Sequence, residues 1–345
     1  MGFRHPLRGS MGMKTTRLAS SMAEIAERCP FEPLTSESRY VIIADLRMGD
    51  GGKKDEAVIA RKALFAVLGR WYLPRGYTLV LNGDVEDLRG FWLKDILAAW
   101  PQMYALFDAF AENGRLHKIV GDRDLGLLRL GSHPYKLTHG LRLTGETNSL
   151  LVLHGHQVSP PYAGRNYLSD YLQNWFGSAK GSKRENPDDG RRERVKMEKR
   201  LHRAARRLGV VAIQGHTGRP LFESLTNRDA ARAEAELLLG VDDTPGVLSG
   251  DREGVSPWLF SPGRVVGARG LRFLELDGDS IRQVLWGRTE GRRTERRRPN
   301  PPHIASQVAS PQFLEGTPFA RFEARSAQLH DLFARVNLFN AGDQR

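Results

Sequence analysis

The chain has a single cysteine, Cys29, so it has no second thiol with which to close a disulfide within itself. That economy fits a reducing compartment. It also lacks any run of about 18 apolar residues, which excludes a helix able to span a bilayer. Acidic residues are in deficit: 40 Asp and Glu against 52 Lys and Arg leave a formal charge of +12. A balance this basic favours anionic partners, namely phosphorylated small molecules and nucleotides, nucleic acid, or an acidic membrane surface touched peripherally. Charge alone does not choose among them. Met1 to Ser20 carries Arg4, Arg8, Lys14 and Arg17 without the apolar stretch of a secretory leader, so the expected location is cytoplasmic. A short organelle transit peptide is the lesser alternative.

What is present is a repeating pattern. At 345 residues and 40% apolar, the chain is long enough to bury a sizeable core. Short apolar runs, each stopping at a polar residue, recur along it: Tyr40-Val-Ile-Ile-Ala-Asp45, Thr78-Leu-Val-Leu-Asn82 before Gly83-Asp84, and Leu116-His-Lys-Ile-Val120 before Gly121-Asp-Arg-Asp124. Two more follow, Ser149-Leu-Leu-Val-Leu153 before His154-Gly-His156, and Val210-Val-Ala-Ile213 before Gly215-His-Thr-Gly218. Helical spacing intervenes at Ala57 to Leu68 and at Met103 to Glu112. Strands this apolar are buried on both faces, and the alternation with helices predicts an α/β architecture with function in the loops at strand ends. Leu271 to Leu276 and Ser280 to Trp286 flank Asp277-Gly-Asp279 and read as a hairpin.

The expected organisation is an extension over 1–37 with one short helix around Met22 to Arg28, and a main domain over 38–287. A basic helical insertion occupies about 160–208 of that domain. An Arg- and Pro-rich linker follows over 288–317. Last comes an amphipathic helix over 318–345, from about Pro318 to Phe339, either docked on the domain or meeting a membrane or partner.

The five polar stops carry the chemistry. Hard carboxylate oxygens and imidazole nitrogens suit divalent ions, and a two-metal phosphoesterase holds two of them about 3.5–4 Å apart. The series Asp45-Leu-Arg47, Gly83-Asp84-Val-Glu-Asp87, Gly121-Asp122-Arg123-Asp124, His154-Gly-His156 and Gly215-His216-Thr-Gly218 resembles the five motifs of the calcineurin-like metallophosphoesterases. The nearest branch is the bacterial group around UDP-2,3-diacylglucosamine hydrolase. Met48-Gly-Asp-Gly-Gly52 with Asp55, Gly218-Arg-Pro220 and Ser261-Pro-Gly263 add to that likeness. The resemblance implies a β-sandwich flanked by helices, covering about residues 38–287.

It also implies ligand sets, and the chain departs from one of them. The first metal would take Asp45, position 47, Asp84 and position 218, but Arg47 offers no lone pair and Gly218 no side chain. The second would take Asp84, Asp122, His154 and His216, all able to ligate. The expectation is one divalent ion, Mn²⁺ first among candidates, with the other site lost. Arg123 stands where the family has a histidine, and it cannot serve as a general acid near neutral pH. Asp84, Arg47 and Arg123 are therefore the expected catalytic residues, with Arg47 and Arg123 gripping phosphate; the alternative is that both arginines only pair with carboxylates such as Asp45. Asp87, Asp124 and His156 either orient the ligands from behind or, for the two carboxylates, cap helices. The Gly49-Asp-Gly-Gly52 loop either offers amides to an anion or is simply a turn. Two functions stay open: a metal-dependent phosphoesterase, or an inactive relative that binds a phosphorylated ligand or nucleic acid.

Overall fold

In a computed structural model of the chain, the residues described are 17–130, 133–146, 148–158, 190–226, 257–267, 270–289 and 310–342. Residues 160–189 of the expected basic insertion and residues 290–309 of the expected linker lie outside these.

Two sheets share one core. The first has the order β1 (Phe31–Pro33), β6 (Gly140–Thr144), β7 (Ser149–Leu153), β8 (Val211–Gln214) and β11 (Leu259–Phe260). The second runs β15 (Gln312–Phe313), β16 (Phe319–Gln328), β14 (Ser280–Arg288), β13 (Gly270–Asp277), β2 (Arg39–Ile43), β3 (Thr78–Asn82), β4 (Leu116–Ile119) and β5 (Leu137–Thr138), with β12 (Val266–Gly267) paired to β13. A separate small ladder joins β9 (Leu221–Phe222) and β10 (Leu225–Thr226). Strands β2, β3 and β4 are parallel neighbours, as are β7 and β8, so five strands point the same kind of end toward their following loops.

The pleat explains why these strands read as unbroken apolar runs. Ile42, Val80 and Ile119 face inward and pack with Leu150 to Leu153 and Val211 to Ile213 of the other sheet. Val41, Ile43, Leu79 and Leu81 face outward under helices α2 (Arg61–Val67), α3 (Leu93–Ala99) and α4 (Pro101–Glu112). The first sheet is covered by α1 (Arg17–Arg28), α5 (Arg191–Leu208) and α6 (Leu329–Gly342), whose Met22, Leu201, Leu332 and Val336 are buried in the inner core. No described helix is long and apolar enough to cross a membrane.

Both ends depart from the expected organisation. The 1–37 extension supplies a longer helix than Met22 to Arg28 and the edge strand β1, which pairs in parallel with β6. The final helix does not begin near Pro318: Phe319–Gln328 is a strand antiparallel to β14, and only Leu329–Gly342 is helical. The reason is visible in Ala320-Arg-Phe-Glu-Ala-Arg325, where apolar and charged residues alternate with period two. The Arg321 face of that alternation meets a carboxylate. Arg321 donates to both oxygens of the fully buried Glu275, at 3.0 and 2.5 Å, and Tyr72 donates to the same group at 2.6 Å. The helix α6 is docked, its Leu329, Leu332 and Val336 inside the core.

Removing one member of a buried ion pair strands the other. Arg321→Met is expected to destabilise the protein by about 3–5 kcal/mol, read as a lowered midpoint in urea, whereas Gln328→Ala at an exposed position of the same strand should cost under about 1 kcal/mol.

Candidate metal centre

The loops after β2, β3, β4, β7 and β8 converge at one end of the sandwich. The first two are stitched together crosswise: Asp45 N–H donates to the Gly83 carbonyl at 3.1 Å, Arg47 N–H to Asp84 at 2.9 Å, and Met48 N–H to Val85 at 2.8 Å. Asp45, Arg47 and Asp84 all adopt left-handed backbone conformations, with φ of 54°, 54° and 53°. Such conformations are costly for residues with a Cβ and cluster where function demands a side-chain direction. Glycines make the close approaches possible. A Cβ on Gly83 would lie 2.3 Å from the His154 ring, and one on Gly121 would lie 2.2 Å from the Asp84 carboxylate.

The result is a buried quartet. Asp84, Asp122, His154 and His216 each offer one ligand atom, and those four atoms lie within 4.8 Å of one another. His154 donates Nδ1–H to the Asn82 carbonyl at 2.8 Å, since a carbonyl can only accept. Its Nε2 therefore carries the lone pair of the neutral ring and faces Asp84 at 3.4 Å and Asp122 at 3.3 Å. His216 Nδ1 lies 2.7 Å from Asp122 Oδ1 and 3.3 Å from His154 Nε2. Two ring nitrogens and two carboxylates aimed at one point repel unless a proton or a cation sits between them. This donor set fits a divalent ion of the oxygen- and imidazole-preferring kind.

Without an ion, protons do the work. Burial opposes charge on His154, but Asp84 and the hydrogen bonds to Asp122 and Asp84 hold its pKa well above the usual imidazole value. Burial and the neighbouring Asp122 would raise Asp84, yet His154 and Arg47 keep it below the carboxylate range. For Asp122, burial is likewise outweighed by His216, His154 and Arg89. Asp45 differs. Arg47 donates to its Oδ1 at 3.1 Å, but burial and the charge of Asp84 prevail and its pKa is raised. Its Oδ2 is buried with no hydrogen-bond partner. That oxygen is 4.0 Å from where a Cβ on Gly218 would stand, so a side chain at 218 would have reached it.

The other expected residues fall as follows. Arg123 pairs with Asp87 at 2.9 Å, lies 3.8 Å from Asp84, and donates its backbone N–H to Asp84 at 2.8 Å. Asp124 caps no helix; its oxygens accept from the N–H groups of Gly121 and Val85, and burial next to Asp84 and Glu86 raises its pKa to about 7. His156 is buried beside His154, and burial and that neighbour hold it neutral. The glycine loop is a turn: Gly51 N–H donates to Asp55 and Gly52 N–H to Asp50, so neither amide is offered to an anion.

Four further charged residues were not singled out, though one of them, Glu86, stands inside Gly83-Asp84-Val-Glu-Asp87. Arg89 reaches Asp122 Oδ2 at 2.6 Å. Arg264 pairs with Glu56, and burial and the nearby charge of Arg47 lower its pKa. Lys118 and Glu86 form a fully buried pair at 2.5 Å beneath the β3 loop. Arg264 directly follows Ser261-Pro-Gly263, and Arg89 lies two residues past Asp87; position beside a motif was the one signal available.

No family model and no curated protein matches the chain. Among solved structures it is similar to YfcE, a phosphoesterase from E. coli, at 15% identity over 71% of this chain and 91% of that one, with a TM-score of 0.32. It is similar to Vps29 of Chaetomium thermophilum at 12% identity, over 73% and 92% of the two chains, with a TM-score of 0.32. A dimetal phosphatase from Danio rerio gives 12% identity, 71% and 95% coverage, and a TM-score of 0.34. Superpositions this loose leave the strand order and the quartet to speak for themselves.

An ion entering the quartet must displace the His154 proton. Apparent Mn²⁺ affinity is therefore expected to rise with pH, by up to about tenfold per unit for each proton released, in calorimetric titrations at about pH 6 and 8. The ion-free protein should show the opposite trend. Its raised His154 contributes stability that is full below about 6.5 and is lost as pH climbs through the folded-state value, read by melts in chelator.

Proposed function

We propose that this chain is a metal-dependent phosphoesterase of the calcineurin-like type, acting on a phosphodiester or nucleotide pyrophosphate with one divalent ion, Mn²⁺ by preference. The observation that supports it is the buried quartet of Asp84, Asp122, His154 and His216 with convergent ligand atoms. A divalent ion held there would supply a Lewis acid that acidifies water and neutralises phosphoryl oxygens. The motifs resemble those of the bacterial UDP-2,3-diacylglucosamine hydrolase-like branch, and this reading does not carry over its lipid substrate, because positions 47 and 218 depart from the family. A cytoplasmic location belongs to the same proposal and rests on cysteine usage.

The chain's own groups divide the remaining work. Arg47 stands beside Asp45 where the family would place a second ion, and its guanidinium supplies fixed positive charge that needs no loading. Arg123, 17% exposed and paired with Asp87 at 2.9 Å, is the second fixed cation, and in this reading it grips a phosphoryl oxygen of the ligand. Hydrolysis adds water across a P–O bond: the water oxygen bonds to phosphorus, and the leaving oxygen departs with the electron pair and takes a proton. Neither arginine gives that proton, because a guanidinium stays charged near neutral pH; in this reading solvent supplies it and takes up the proton that the attacking water releases.

One observation favours a second reading. Arg47 and Arg123 are already engaged by Asp45 and Asp87, as in a recognition site whose cations are set without metal. In that reading the chain binds a phosphorylated ligand and does not turn it over.

His216→Ala should abolish Mn²⁺ retention and hydrolysis of bis-p-nitrophenyl phosphate together. Retained ion in the variant refutes the ligand set, and wild-type turnover no faster than the variant's selects the binding protein. Arg123→Ala should leave ion affinity within about twofold while raising KM about 10- to 100-fold, the loss of one charge-assisted contact of about 1.5–3 kcal/mol. An unchanged KM returns Arg123 to a purely structural pair.

A further inference from the structure

Helix α5 carries a feature that the metal centre does not use. Among its described residues, the exposed ones are Arg192, Lys196, Lys199, Arg203 and Arg207, all of them cations. Their spacing of three and four residues places them on one face, a stripe about 22 Å long at 1.5 Å per residue. The opposite face is spent: Met197, Leu201, Ala204 and Ala205 are buried in the core. Of the helix's two acids, one engages a member of the stripe and the other does not. Glu193 pairs with Lys196 at 2.6 Å, and Glu198 is buried and turned to Arg219 at 3.0 Å.

We propose that this stripe binds the phosphate backbone of a polynucleotide. A linear array of cations on a rigid helix matches a linear array of phosphates, and neutralising several of them at once is the physical basis of sequence-independent nucleic-acid binding. An anionic membrane is the weaker match. Interfacial helices insert an apolar face, and here that face is inside the core while no exposed position of α5 is apolar.

The placement ties the stripe to the site. Glu198 holds Arg219, next to Gly218 at the end of the His216 loop, and Leu201 packs against Gly155, between His154 and His156, within 3.4 Å of where its Cβ would stand. The middle of α5 thus backs the loops that carry both imidazoles of the quartet. A strand lying along the stripe passes about one helix diameter, roughly 10–12 Å, from those loops. Binding along the stripe stands independently of catalysis. That the bound strand is also the substrate rests on the phosphoesterase proposal.

The test is fluorescence anisotropy of a labelled single-stranded oligonucleotide of about 20 nucleotides, with chelator present so that the metal centre takes no part. The wild-type chain should bind with steep salt dependence. Lys196→Glu/Lys199→Glu/Arg203→Glu should lose at least about tenfold in affinity and shed about 2 from the log–log salt slope, at about 0.7 per phosphate contact. The gentler Lys196→Gln/Lys199→Gln/Arg203→Gln guards against misfolding and should show the same direction, and both should retain wild-type Mn²⁺ binding. His216→Ala should bind the oligonucleotide as the wild type does, so that failure of the metal centre and failure of the stripe are told apart. Equal affinity for wild-type and charge-swapped chains overturns the proposal. So does capture by phosphatidylserine vesicles without oligonucleotide binding.

Discussion

Three carboxylates, Asp45, Asp84 and Asp122, are buried together at one end of the sandwich, and the structure around them is organised to hold opposite charge against them. Like charges at about 4 Å repel by roughly 4 kcal/mol even at an effective dielectric of 20, so this cluster cannot stand alone. Arg47 takes an oxygen of Asp45, Arg89 takes one of Asp122, and the His154 ring, whose pKa these carboxylates hold well above the usual imidazole value, lies 3.4 Å from Asp84 and 3.3 Å from Asp122. The arrangement is asymmetric. On the Asp45 side the compensating charge is the Arg47 guanidinium; on the Asp122 side Arg89 shares the task with the imidazoles of His154 and His216, whose lone pairs a divalent ion can take.

That asymmetry depends on backbone geometry more than on side-chain choice. Four ligand residues arrive from four loops belonging to two sheets, so their spacing is only as good as the packing of Ile42, Val80 and Ile119 against Leu150 to Leu153. The left-handed Asp45, Arg47 and Asp84 hold their directions because the two loops that carry them are hydrogen-bonded to each other. Gly83 and Gly121 let the His154 ring and the Asp84 carboxylate approach the backbone more closely than any side chain would allow. The buried Lys118–Glu86 pair under the same loop makes it costly to move.

The strands that bear the site were legible in the sequence because each is apolar on both faces and stops at a polar residue. Their convergence was legible because the order and spacing of those stops resemble a metal-binding set, although positions 47, 123 and 218 depart from it. Strand β16 escaped the pattern because Phe322, Leu329, Leu332, Phe333 and Val336 can also be read at helical spacing, and only the alternation of charges from Arg321 to Arg325, with Arg321 on Glu275, reveals the period of two. The Gly49–Gly52 loop was ambiguous because its role turns on where Asp50 and Asp55 point, and they point at its own amides. Arg89 and Arg264 carry no motif; they matter through pairs with Asp122 and Glu56 that only the folded chain brings about.

The central claim is that one cation site has become an arginine and the other still takes an ion. Elemental analysis of protein reconstituted with Mn²⁺ and desalted tests it most directly. One ion per chain, falling to none in Asp122→Ala, is the expected result. Two ions per chain would contradict the claim that Arg47 and Gly218 have closed the first site, and none would contradict the quartet itself.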